Sequence, residues 1–185
     1  MIVEVEITPN PETLKFLPGK KVSEIGPIEF LKGEEKIGIP LAKKILSLKG
    51  INMIFFGADF ITVKKEKNQI WEDLKYGIIA EINDFYSNGK EVIIDKNFKK
   101  SSSEDAFKSS DLIVDKINDV LNTKIRPAVA RDGGDIKFKD FKDGVVTVEL
   151  RGSCSGCPSS VITLKNGVQN LLCHYIPEVK RVDAL

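Results

Sequence analysis

The chain has 185 residues, 42% of them hydrophobic and 30% charged, with 28 Lys+Arg against 27 Asp+Glu. That length suits two compact domains, and the near-zero net charge excludes the cationic field of a nucleic-acid binder and any strong attraction to a membrane surface. No apolar run approaches the ~20 residues that span a bilayer, and the first residues read neither as a secretory signal nor as an Arg-rich transit peptide. A cytosolic protein, or a processed organellar one, is expected.

Residues 2–8 alternate apolar and polar, mostly acidic, side chains, the pattern of a half-buried strand. Pro9-Asn10-Pro11 turns the chain. Residues 14–17 predict a second short strand, ended by Pro18-Gly19. Pro40 is placed for the first turn of a helix through residues 41–48, which Lys49-Gly50 stops. Residues 51–56 and 60–63 flank Gly57-Ala58-Asp59 and predict a hairpin. Residues 70–86 predict an amphipathic helix: Trp71, Leu74, Ile78, Ile82 and Phe85 fall on one stripe, and Asn88-Gly89 caps it.

Residues 95–110 lose all periodicity, and the serine-rich run within them reads as a linker. It divides a domain of residues 1–94 from one of residues 111–185. The second domain opens with a helix near Asp111, N-capped by Ser109 or Ser110, with Ile113, Ile117, Val120 and Leu121 facing inward. Pro127 should kink or end that helix. Asp132-Gly133-Gly134 predicts a tight turn, and residues 136–141 and 145–150 a hairpin around Lys142-Asp143-Gly144. A helix over residues 158–175 should bury Val161, Leu164, Val168, Leu171 and Leu172, and residues 179–182 should add a last strand. The fold class is α+β: two small domains, the first mixed α/β, the second α-β-β-α-β.

The three cysteines, Cys154, Cys157 and Cys173, are too few for a secreted disulfide framework. Cys154-Ser155-Gly156-Cys157-Pro158 lies between the predicted strand and helix. Two thiols three residues apart converge on one point, and a helix start favours thiolates there. Glycines around the thiols let the backbone approach closely, and small Ser153 and Ser155 leave the loop open. A tetrahedral zinc or a cubane cluster wants four soft ligands. Cys173 and His174 are the other candidates, but on a continuous helix Cys173 lies ~22 Å beyond Pro158 at 1.5 Å per residue. They read as an ordinary helix cysteine and a capping or surface histidine.

The loop therefore offers half a metal site. Either a second subunit completes it, or the pair does dithiol redox chemistry, or it is inert. Dithiol motifs of the thioredoxin kind follow the first strand of a βαβ unit, an order that hairpin–loop–helix does not match. Four thiolates from two chains suit a [4Fe–4S] cluster, and a cluster held at an exposed seam is easily released. No catalytic constellation accompanies it. Asp59, Glu72 and Asp73 sit where a turn and a helix start favour acids, Trp71 and Phe55-Phe56 read as core, and Gly133-Gly134 lacks the rest of a phosphate-loop pattern.

Asp132-Gly133-Gly134-Asp135 followed by Gly152-Ser153-Cys154-Ser155-Gly156-Cys157-Pro158-Ser159-Ser160 resembles the NifU-like C-terminal domain of Nfu-type iron–sulfur proteins. The stretch from Thr8-Pro9-Asn10-Pro11 to Pro18-Gly19, with Pro40-Leu41-Ala42 and Phe55-Phe56-Gly57-Ala58-Asp59-Phe60, resembles the N-terminal domain of the same family. The resemblance covers nearly the whole chain. It implies a scaffold or carrier, not an enzyme, that takes a [4Fe–4S] cluster between two subunits and delivers it to apo-proteins. Cys154 and Cys157 match the family's cluster ligands. The thiol-free N-terminal domain would recognise partners: upstream assembly proteins and apo-clients, with no nucleic acid and no membrane. The resemblance implies a homodimer in the loaded form, in the bacterial cytoplasm or, for a processed eukaryotic form, the mitochondrial matrix. A thiol–disulfide exchange protein and an interaction module with a vestigial CxxC are the alternatives.

Overall fold

The computed structural model describes residues 2–34, 38–98, 112–156 and 158–185, with the backbone alone for residues 158–161. The chain divides into two compact units, Met1–Lys100 and Ser101–Leu185. The mixed helix and strand content of each agrees with the α+β class read from the sequence. Cys157, the proposed caps Ser109 and Ser110, and the linker from residue 99 onward lie outside the described residues.

The first unit is a five-stranded antiparallel sheet covered by two helices. Its strands are β1 (Glu4–Ile7), β2 (Thr13–Leu17), β3 (Ile28–Leu31), β4 (Ile51–Phe56) and β5 (Ile61–Lys65), in the order β1-β2-β5-β4-β3. β1 is an edge, so the alternation expected to half-bury it is only partly used: Val3 is buried, Val5 is partly buried and Ile7 is exposed. β3 is a strand that the sequence reading passed over. Helix α1 (Pro40–Ser47) has Pro40 in its first turn and ends before Gly50, whose φ is +89°. Helix α2 (Trp71–Ser87) buries Leu74, Ile78, Ile82, Phe85 and Tyr86. Trp71 stays at the margin and donates its indole N–H to the Pro11 carbonyl at 3.2 Å. These side chains join Phe16, Phe30, Phe56 and Ile54 in one core. Phe98 packs edge-on against Phe30, with ring centroids 6.3 Å apart.

The second unit has a three-stranded sheet, β6 (Gly134–Lys142), β7 (Val145–Gly152) and β8 (Arg181–Ala184), in that order. β6 and β7 form the expected hairpin. Its turn residues Asp143 and Gly144 have φ of +54° and +83°, the paired left-handed geometry of a tight two-residue turn. Helix α5 (Pro158–Tyr175) crosses to β8, which runs parallel to β7. The cysteine loop therefore does sit inside a βαβ unit, contrary to the hairpin–loop–helix reading. Local pattern shows where strands are but not which way a later strand runs beside an earlier one. Val168 and Leu172 are buried as expected, Leu164 partly, and Leu171 is exposed; Ile176, just beyond the helix, joins the core, and the side chain of Val161 lies outside the described residues.

Pro127 does not end the preceding helix. Helix α3 (Leu112–Val120) runs into a π turn (Leu121–Ile125) and on into helix α4 (Arg126–Arg131). The Arg126 amide donates to the Leu121 carbonyl, five residues back. A proline ring collides with the carbonyl four residues before it in a regular α-helix, and the wider turn relieves that. It also keeps Ile117, Leu121, Ile125 and Val129 on the core side. In an α-helix a strict four-residue spacing drifts about 40° per step.

Candidate metal centre

The loop that carries Cys154 leaves the C-terminal end of β7 and enters the start of α5, the end of a strand where open α/β units place ligands. Its backbone is fastened to the Asp132–Gly134 turn. The Ser153 amide donates to the Gly133 carbonyl at 3.2 Å, and the Ser153 hydroxyl donates to the Asp132 carbonyl. The Ser155 amide and hydroxyl both donate to the Gly152 carbonyl, at 3.2 and 2.9 Å. Gly133, Gly152 and Gly156 have φ of +81°, +66° and +76°, which explains the glycines flanking the motif.

Gly134 has a different role. A Cβ built on it would lie 2.6 Å from Cys154 Sγ and 2.7 Å from the Arg151 carbonyl oxygen. Its bare α-carbon is the floor on which the thiol rests. The loop is thus less open at this residue than its small side chains suggest: Cys154 is 6% exposed and joins the core of the second unit. Burial pushes the Cys154 thiol up to about 11, the charges of Asp132 and Asp135 add to the rise, and the Ser153 hydroxyl opposes it. A helix start was expected to favour the thiolate; at Cys154 desolvation and two carboxylates win.

Asp135, part of the sequence motif but given no role there, is the residue that sequence reasoning missed. Its carboxylate takes a two-pronged bond from Arg126, Nε to Oδ1 at 2.8 Å and Nη2 to Oδ2 at 3.0 Å. The signal was the second aspartate of Asp-Gly-Gly-Asp, a carboxylate at the first step of a strand that must be buried to reach the cysteine loop. Cys173 lies far along α5, unbroken from Pro158 to Tyr175, half-buried against the core. His174 is exposed beside Tyr175, rings 5.1 Å apart. Among the described residues no three His, Cys, Asp or Glu side chains gather as a metal site. Also among them, no helix is long and apolar enough to cross a membrane.

A thiol loop at a strand end, fastened to a di-glycine turn and joined to a separate antiparallel α+β unit, defines a two-domain protein of the NifU-like class. Residues 3–89 match the family described as scaffold protein Nfu/NifU N terminal, and residues 117–183 match the NifU-like domain. The chain belongs to the Nfu family of NifU-like proteins. It is 44% identical over 184 residues to the human NFU1 iron-sulfur cluster scaffold homolog, mitochondrial, a match covering 99% of this chain and 71% of that protein. It is 42% identical over 185 residues to NifU-like protein 4, mitochondrial, of Arabidopsis thaliana, covering 99% of this chain and 65% of that one. A solved NifU-like protein from Saccharomyces cerevisiae has 25% identity and a TM-score of 0.48, over 52% of this chain and 86% of its own.

Proposed function

We propose that this protein is an iron–sulfur scaffold and carrier. Two chains hold one [4Fe–4S] cluster through Cys154 and Cys157 of each and pass it to apo-proteins. The observation that carries this is the unbroken α5. The other described thiol, Cys173, is ~22 Å along the helix from the loop at 1.5 Å per residue, so one chain brings two thiolates where the cluster takes four. The names of the relatives, iron–sulfur cluster scaffold homolog and NifU-like protein, support the cargo.

The cluster is the cargo, and the chain's own groups govern its arrival. Burial pushes the Cys154 thiol up to about 11, so its proton is held more tightly than on an ordinary cysteine. Ligation must displace that proton, so loading releases protons and is favoured as pH rises. We assign the first unit to partner recognition and residues 111–185 to cluster binding, with the linker expected at 95–110 beginning only after Phe98, which still packs on the first core. Partners are upstream assembly proteins and apo-clients, with no substrate turned over. The mitochondrial relatives support the matrix as the setting; the bacterial cytoplasm is the other setting the chemistry fits.

The βαβ placement of the loop favours a second reading, dithiol exchange. The raised Cys154 pKa opposes it for that thiol, since exchange relies on thiolates of lowered pKa. Anaerobic reconstitution with iron and sulfide decides between them. The carrier reading expects a cluster absorption band, a dimer by size exclusion and two irons per chain. A monomer with four irons per chain, or efficient insulin disulfide reduction by the cluster-free protein, overturns it.

A further inference from the structure

We infer that the Arg126–Asp135 ion pair is a clamp that fixes the seat of Cys154 and thereby sets how long a cluster stays on the chain; the second part rests on the carrier reading above. The Asp135 carboxylate is 9% exposed and receives both prongs of the guanidinium, the geometry in which an ion pair both holds and orients. It immediately follows Gly134, the floor under Cys154 Sγ. The side chain of Asp135 is therefore the handle nearest to that floor. Its cross-strand neighbour Arg151 is held by Glu149 at 3.0 Å, so Arg126 is the guanidinium bonded to it.

Arg126 is itself placed by the π turn. Its amide closes that turn on Leu121, and its Nη1 donates to Asn122 Oδ1 at 3.1 Å. One residue fewer in the turn would rotate Arg126 by about 100° around the helix axis, off Asp135. Extra-wide turns of this kind recur where a helix must aim a functional side chain. The helix, the ion pair, the glycine floor and the thiol form one mechanical series. Loosening Asp135 lets the first residues of β6 move, and Cys154 moves with them. Arg126 and Asp135 are positioning residues; neither touches a cluster.

The test uses the full chain and the variants Arg126→Gln, Arg126→Lys and Asp135→Asn. In the metal-free protein, iodoacetamide labelling is followed at Cys154 by mass spectrometry, with Cys173 as the internal reference. Arg126→Gln and Asp135→Asn should speed labelling of Cys154 by roughly tenfold and leave Cys173 unchanged, the scale on which partners behind a ligand act. Arg126→Lys, which keeps the charge but loses the fork, should fall between. In the loaded protein, the half-life against an iron chelator, measured well below the unfolding temperature, should shorten in the same order. A purely structural role would lower the unfolding temperature and leave the labelling ratio and the half-life unchanged, and that result overturns the clamp. If the wild-type chain takes up no cluster, the carrier reading fails while the labelling ratio still decides the clamp. Arg126→Lys retains an ion pair, so it supplies the measurement should the other variants not fold.

Discussion

The sulfur of Cys154 rests on the bare α-carbon of Gly134, at a place where a single methyl group would come within 2.6 Å of it. The crowding atom on the other side, the Arg151 carbonyl at 2.7 Å, is backbone and cannot swing away. Gly134 does not have a positive φ, so its requirement is space alone.

Gly134→Ala should therefore destabilise the second unit by about 1–3 kcal/mol, the usual cost of forcing a methyl into a filled site, and should hinder cluster loading. Gly167→Ala is the control. Nothing lies within 4 Å of its Cβ position, in the middle of α5, and alanine should stabilise by about 0.5–1 kcal/mol. Thermal unfolding of both variants checks the pair; equal effects would refute the idea that steric fit sets the glycine at 134.

Cys154→Ser or Cys157→Ser should abolish cluster binding, and Cys173→Ser should leave it nearly intact. Cys173 stands on the far part of an unbroken helix. Iron and sulfide analysis after anaerobic reconstitution checks this, with circular dichroism confirming the fold. Loss of cluster from a folded Cys173→Ser protein would contradict the assignment.

Each unit should fold alone. The buried apolar side chains form two clusters, one drawn from residues 3–94 and the other from residues 117–182. A fragment of residues 101–185 should melt cooperatively and still assemble a cluster, while delivery to selected clients should slow. Transfer rates from the full chain and the fragment to several apo-enzymes measure this. Equal rates to every client would remove the recognition role from the first unit.

Burial raises Tyr86 from its ordinary value of 10.0 to about 12, and its hydroxyl donates to the Lys21 carbonyl at 3.0 Å. The folded state holds this proton more tightly than the unfolded chain does. The resulting stability is full below about pH 10 and is lost as pH rises through about 12. In a tyrosinate absorbance titration, Tyr86→Phe should delete a step near pH 12. Persistence of that step in the variant would refute the assignment.

The elements with strong local periodicity were legible: α1, α2, the β4–β5 and β6–β7 hairpins and α5 all lie where spacing and turn residues put them. β3 was not, because four residues of an edge strand between Gly26-Pro27 and Gly33 carry too little pattern to count. The direction of β8 was not, because it depends on a long-range partner. Pro127 was expected to kink or end its helix; the regular α-helix gives way to the π turn just before it, and the four-residue rhythm Ile117, Leu121, Ile125, Val129 was already in the sequence. The thiol pair was plain in the sequence. That Cys154 is buried, and that Arg126 reaches Asp135, came only from packing.

The β6–β7 hairpin and its flanking turns contain nearly everything that shapes the thiol's surroundings: Gly133, Gly134, Arg151 and the Ser153–Ser155 loop are near neighbours through one two-residue connection. Closing so short a loop costs little chain entropy, and local contacts of this kind form early in folding. β8, by contrast, joins β7 only after all of α5 has been made. On a ribosome the cradle for Cys154 is thus drafted before the sheet beside it is complete. The burial of Cys154 is completed only with that last step, because the core it joins also draws on Val168 and Leu172 of α5 and Val182 of β8.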